Sequence, residues 1–179
     1  IVDRLDYVER HPQTGLPAIR IVDYKTGTKT QKRVFKDVAS IFDRSKDNSD
    51  YVFQTFLYAL AIKDELDGHV QLDEEIKIQN GGPIALSETE RQANIMPSLI
   101  FIAAANDVAN YDARLVINKD KMKSEISDFK QYSDEFRKDL EDYLNGIMFN
   151  LDVDYIKAVN DDHCAYCDYR LLCGKKEKK

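Results

Sequence analysis

Alternation of apolar and polar residues governs the start of the chain. In "IVDRLDYVER", Ile1, Asp3, Leu5 and Tyr7 fall on one face of an extended segment, and Val2, Arg4, Asp6 and Val8 on the other. The connection "HPQTGLP" carries Pro, Gly and Thr and leads into "AIRIVDYK". A hairpin is therefore expected, with its second strand over Ala18–Tyr24. The period then changes. Phe53, Phe56, Leu57, Leu60 and Ala61 recur at helical spacing, which predicts a helix from about Tyr51 to Leu66, with Ser49-Asp50 as its cap. Further on, "NGGP" reads as a turn and "SETERQA" as a short polar helix at best. "SLIFIAAA", Ser98 to Ala105, reads as a buried strand, with "ARLVIN" as its neighbour. From about Lys119 to Gly146, Met122, Ile126, Phe129, Phe136, Leu140 and Tyr143 recur at three and four, interrupted at Ser133. That spacing predicts one long amphipathic helix packed on the sheet. The closing "KKEKK" reads as a frayed terminus.

Composition narrows the class. With 179 residues, of which 43% are hydrophobic, the chain suits one globular domain with a sizeable core. No apolar run approaches the length of a membrane span, so no membrane association is expected. The net charge of −6 means that any nucleic acid must be met by a local basic patch rather than by an overall positive field. The stretch "TKTQKRVFK" offers such a patch in Lys29, Lys32, Arg33 and Lys36. Three cysteines, an odd number within ten positions, argue against a disulfide framework and for a reducing, cytoplasmic compartment. The first residue is Ile rather than Met and sits inside a strand-like run, so a longer protein, or residues preceding this segment, is expected.

The chemistry sits at the end of the second strand. Asp23 and Lys25 are two residues apart and share a strand face with Ile19 and Ile21. If the hairpin forms, Asp3 can approach Asp23. Two carboxylates, with the Tyr24 carbonyl as a neutral oxygen, match what Mg²⁺ takes alongside water and phosphate oxygens. Lys25 beside them could orient or deprotonate a water and offset charge building on a phosphate. On the helix, Gln54 and Tyr58 are i and i+4 and share a face with Tyr51. The same residues would equally suit a solvated strand end, paired within itself, and a helix hydrogen-bonded at the edge of a core.

Taken in order, "IVDRLD", "IVDYKTG" and "QTFLYALA" resemble the PD-(D/E)XK nuclease superfamily, and within it the RecB/AddB-like exonuclease branch; "IMPSLIFI" resembles the strand that follows there. The resemblance runs from residue 1 to about 174. It implies an α/β, restriction-endonuclease-like fold, a mixed central sheet flanked by helices, in a single nuclease domain truncated at its N-terminus. It implies Asp3 and Asp23 as metal-binding acids with Mg²⁺ or Mn²⁺, Lys25 as the catalytic lysine, and Gln54 and Tyr58 as the helix pair that meets DNA and completes the site. It further implies DNA and a helicase domain or subunit as partners, in DNA end processing, recombination and repair. The glycine that commonly precedes the first motif, and an upstream helix with a His or acidic ligand, have no counterpart here. A catalytically silent nuclease-like scaffold remains the rival reading. Asp6, on the opposite strand face from Asp3, is expected to pair with Arg4 or a neighbouring lysine.

The tail "HCAYCDYRLLCG" carries Cys164, Cys167 and Cys173 in a C-x₂-C-x₅-C pattern, close enough for thiolates to grip a metal. The resemblance implies three ligands of a [4Fe–4S] cluster, with the fourth cysteine far upstream. No fourth cysteine exists in this chain, so an intact cluster is expected only in a full-length protein. A Cys₃His zinc site with His163 is the alternative. Without a metal, Tyr166, Tyr169, Leu171 and Leu172 are expected to hold the tail by packing, or else to leave it mobile.

Overall fold

The computed structural model describes residues 2–8, 10–11, 15–43, 49–68, 92–105, 113–147, 152, 164, 167 and 169–174. By their internal contacts they fall into two units, residues 1–142 and 143–179. "NGGP", "KKEKK" and most of "SETERQA" lie outside the described residues.

Alternation in the first segment produces the expected hairpin. Strand β1 (Arg4–Val8) pairs antiparallel with β2 (Ala18–Lys25), in a register that sets Arg4 against Val22 and Leu5 against Ile21. Continuing that register by one step sets Asp3 opposite Asp23. Gly15, at φ +71°, turns the connection, and its amide donates to the His11 carbonyl. On its other side β2 pairs in parallel with β4 (Asn94–Phe101). Every residue of β4 is buried, as expected for a strand covered on both faces.

β4 starts four residues earlier than the periodicity suggested and stops at Phe101, where residues 102–104 tighten into a 3₁₀ turn. Pro97 lies inside it; proline, lacking an N–H, is a poor marker for a central strand. "ARLVIN" is divided between two roles. Its first half runs beside β4, with a bridge between Ser98 and Arg114 and a Leu115 amide donating to the Pro97 carbonyl. Its second half becomes β5 (Val116–Lys119), in a second three-stranded sheet with the short β3 (Val34–Phe35), parallel to it, and β6 (Met122–Glu125), antiparallel. Both sheets are mixed. The fold is α/β, of the restriction-endonuclease-like kind.

The long helix expected over 119–146 is a strand, a hairpin, a 3₁₀ turn and a shorter helix. Asp120 and Lys121 both take positive φ, 52° and 67°, the backbone of a two-residue type I′ hairpin turn. Residues 129–131 form a 3₁₀ turn that Asp128 caps through the Lys130 amide. Helix α2 (Ser133–Ile147) begins at the serine that broke the periodicity. Ser133 is buried, and its hydroxyl donates to the Lys130 carbonyl.

Helix α1 (Ser49–Leu66) lies against β4 and β2. Its Val52, Phe56, Ala59 and Leu60 enter the core with Ile21, Ile95, Leu99, Leu115, Phe129 and Phe136. Phe56 is the hub. Its ring makes edge contacts with Phe35, Phe129 and Phe136 at 5.4, 5.0 and 5.2 Å between centroids. This packing fixes the azimuth of α1, and with it the direction in which its polar stripe, Tyr51, Gln54 and Tyr58, is presented.

Candidate active site

The C-terminal end of β2 carries the site. Ile19, Ile21, Asp23 and Lys25 share the face that α1 covers. The two apolar residues anchor the strand, and the two charged ones follow where the sheet ends. Asp23 is only 3% exposed. Burial pushes its carboxyl pKa up, the Lys25 ammonium pulls it down, and the neighbouring Asp3 carboxyl pushes it up again; the net direction is upward.

Lys25 is the junction of the site. Its Nζ stands 2.6 Å from Asp23 Oδ2 and donates to Gln54 Oε1 at 2.8 Å. Gln54 Nε2 in turn donates to the Tyr58 hydroxyl at 2.7 Å. The i and i+4 spacing on α1 therefore yields a relay from the strand end along the helix. The Lys25 ammonium also lies over the Tyr51 ring, 4.9 Å from its centroid. A cation on an aromatic face gains about 0.5–1 kcal/mol at a partly exposed site. A carboxylate, an amide oxygen and a ring thus hold the ammonium from three directions.

Asp3 completes the group from β1. Its Oδ2 accepts from the Tyr24 amide at 2.8 Å, which locks the start of the hairpin to the end of β2. Asp3 is exposed where Asp23 is buried. The two carboxylates bring two negative charges against one ammonium. Asp23 Oδ2, although charge-paired with Lys25, accepts no hydrogen bond of good geometry among the described residues. A buried carboxylate oxygen with a free lone pair is a position that a hard cation satisfies. One or two carboxylates suffice for Mg²⁺ when water and phosphate oxygens supply the rest. The residues present fit such an ion.

Asp6 sits on the other face and pairs with Arg4, as expected, and with Arg20 besides. Its Oδ1 accepts from Arg4 Nε at 2.5 Å and its Oδ2 from Arg20 Nε at 3.0 Å. Burial pushes the Asp6 pKa up, and the two arginines outweigh it, so the carboxyl lies below its ordinary value. That cluster stiffens the hairpin from behind.

The basic stretch after Gly27 separates into unlike members. Lys32 lies in the 3₁₀ turn Thr30–Arg33, and its Nζ is 4.7 Å from the Tyr51 centroid, on the same ring that Lys25 uses. Lys36 is exposed and pairs with Asp37 at 3.4 Å. Lys29 is exposed and Arg33 half-buried. The approach of Lys32 to Tyr51 has no signature in the sequence, because it depends on how the loop folds back.

In the second unit, Cys164 and Cys167 are half-buried free thiols and Cys173 is an exposed one. The Cys167 amide donates to the Cys164 carbonyl and the Cys173 amide to the Tyr169 carbonyl. Among the described residues, no three of His, Cys, Asp and Glu are grouped closely enough to hold a metal ion, so the three thiols as arranged do not fit a cluster. His163 and Tyr166 lie outside the described residues. Tyr169, Leu171 and Leu172, expected to pack the tail, are instead exposed, at 68%, 68% and 85%. Among the described residues, no helix is long and apolar enough to cross a membrane.

A family model described as the PD-(D/E)XK nuclease superfamily matches residues 1–174. No curated protein and no solved structure matches the chain.

Proposed function

The chain belongs to the PD-(D/E)XK nuclease superfamily, and we propose that it is a metal-dependent deoxyribonuclease of the RecB/AddB-like branch, with its centre at Asp3, Asp23 and Lys25. Superfamily membership implies nuclease activity and, in general, a divalent metal such as Mg²⁺. The observation that carries the finer reading is the Lys25 ammonium. It is fixed 2.6 Å from a buried aspartate and 2.8 Å from Gln54, with a second carboxylate opposite in the hairpin register. A solvated strand end would not enclose its acid or tie its lysine to a neighbouring helix.

Asp3 and Asp23, with the Tyr24 carbonyl, would hold Mg²⁺ or Mn²⁺. When bound, the ion would polarise a phosphodiester and lower the pKa of a water. Asp23 pairs with Lys25 and holds it in place, and Gln54 and Tyr51 aim it away from the apolar core. From there its ammonium can orient a water for attack and offset charge on the phosphate. Tyr58, Lys29, Lys32 and Arg33 supply contacts to the DNA strand. The natural setting is a cytoplasmic helicase–nuclease assembly acting on DNA ends in recombination and repair.

The test is cleavage of end-labelled single-stranded DNA with Mg²⁺, with EDTA, and by Lys25→Ala. The proposal expects cleavage that needs the metal and falls by at least 10²-fold in the variant. Tight DNA binding without cleavage under any divalent ion would instead indicate a silent nuclease-like scaffold.

A further inference from the structure

Lys32 differs from Lys25 and Lys36 in what its ammonium meets, and from Lys29 and Arg33 in resting on the Tyr51 ring. Lys25 is committed to Asp23 and Gln54, and Lys36 to Asp37. Lys63 and Lys138 are paired with Asp67 and Asp142, one helical turn away from each. Among the described residues, Lys32 has no carboxylate within ion-pairing distance, and its ammonium rests on the Tyr51 ring. The 3₁₀ turn that carries it packs against both α1 and β4, so the lysine is half-buried and directed rather than adrift in solvent.

Tyr51 thereby gathers two ammonium groups on one ring, at 4.9 Å for Lys25 and 4.7 Å for Lys32. The two nitrogens are separated by no more than those distances laid end to end, an upper bound within which neighbouring phosphates of one strand fit. The charge of Lys25 is answered by Asp23, whereas among the described residues Lys32 has only the ring, so its ammonium is the one left to meet an anion. A cation parked on a ring gives up a weak contact and gains a charge-assisted hydrogen bond when a phosphate approaches.

We propose that Lys32 is a second phosphate-binding group of this site. It grips the phosphate next to the one being hydrolysed, so that the site selects a polynucleotide strand over an isolated phosphodiester. The inference rests on the nuclease reading above and deepens it by assigning the substrate class. It sets Lys32 apart from Lys29 and Arg33, which would touch the backbone farther along. Tyr51 is then a positioning residue, holding both cations in the pose that the strand will meet.

Two measurements test it. The first is binding of a single-stranded oligonucleotide in Ca²⁺ across a salt series, for wild type, Lys32→Gln and Lys32→Arg. Loss of one phosphate contact lowers the slope of log affinity against log salt by about 0.7. Lys32→Gln is expected to show that drop and Lys32→Arg to restore it. The second compares cleavage of an unphosphorylated dinucleotide, with one phosphodiester, and a trinucleotide, with two. Lys32→Gln is expected to lower kcat/KM about tenfold more on the trinucleotide than on the dinucleotide. An unchanged slope, or the same fractional loss on both substrates, overturns the proposal while leaving the nuclease reading intact. A slope that drops in a protein that never cleaves keeps the phosphate site and refutes the nuclease reading.

Discussion

Replacing Gln54 by alanine removes the hydrogen bond that ties Lys25 to helix α1. The side chain makes two hydrogen bonds, 2.8 Å to the Lys25 ammonium and 2.7 Å to the Tyr58 hydroxyl. A bond to a charged group contributes about 1.5–3 kcal/mol and a neutral one about 1 kcal/mol. The loss is not the full sum. Lys25 keeps Asp23 and the Tyr51 ring, and water can reach the half-buried Tyr58 hydroxyl. We expect Gln54→Ala to destabilise the protein by about 1–2 kcal/mol, read as a lower urea midpoint at unchanged m-value. The effect on cleavage should be larger, because a group displaced by about 1 Å from its working position can cost about 10²-fold. Gln54→Glu retains an acceptor for the ammonium and can accept from Tyr58, so it should recover most of the stability. The assay is kcat/KM on single-stranded DNA beside urea unfolding of the same preparations. If Gln54→Ala is within twofold of wild type in kcat/KM and within 0.3 kcal/mol in stability, Lys25 is not positioned by this relay.

Asp23, with its pKa raised by burial, makes a pH-dependent prediction. Such a group binds its proton more tightly folded than unfolded, so its contribution is fully present below the unfolded pKa and is lost as pH rises through the folded one. Measured without divalent ions, the stability of Asp23→Asn relative to wild type should therefore rise with pH above the ordinary carboxylate range; a gap that stays flat or shrinks refutes the burial argument. Lys121 sits at φ 67°, in the left-handed region that costs a non-glycine residue about 1–2 kcal/mol, so Lys121→Gly should raise the melting temperature despite the added entropy of the unfolded chain. A lower melting temperature would mean that the turn is held by contacts of the lysine side chain. Because Cys164, Cys167 and Cys173 as arranged do not converge on a metal, iron and sulfide analysis of the protein purified without oxygen should find neither; about four of each per chain would instead make the three thiols cluster ligands.

Much of the site was legible because it rests on strict periods. Alternation fixes strand register to the residue, since a slip of one would turn Ile19 and Ile21 away from the core, and Asp23 and Lys25 with them. The spacing of Gln54 and Tyr58 likewise fixes their common face on α1. The β5–β6 hairpin was not legible. Its turn residues are Asp120 and Lys121, without the glycine that usually announces a type I′ turn. Met122, Ile126 and Phe129 meanwhile keep helical spacing by coincidence, although Met122 is 75% exposed. The early part of β4 was hidden by Pro97, which is tolerated where the strand needs no donor. Arg20 as the partner of Asp6, and Lys32 as the neighbour of Tyr51, arise from pairing and loop closure between segments; no local pattern encodes either.

The central claim is that a divalent metal at Asp3 and Asp23 contacts the phosphate that is cut. The most direct measurement replaces a non-bridging oxygen of the scissile phosphate by sulfur and compares metals. Sulfur is a poor ligand for hard Mg²⁺ and a better one for softer ions such as Mn²⁺ or Cd²⁺. The account predicts that one phosphorothioate isomer is cut far more slowly than the all-oxygen strand in Mg²⁺, that the softer ion restores the rate, and that Asp23→Asn abolishes the rescue. Equal sensitivity to sulfur in every metal, or cleavage that persists in EDTA, would contradict it.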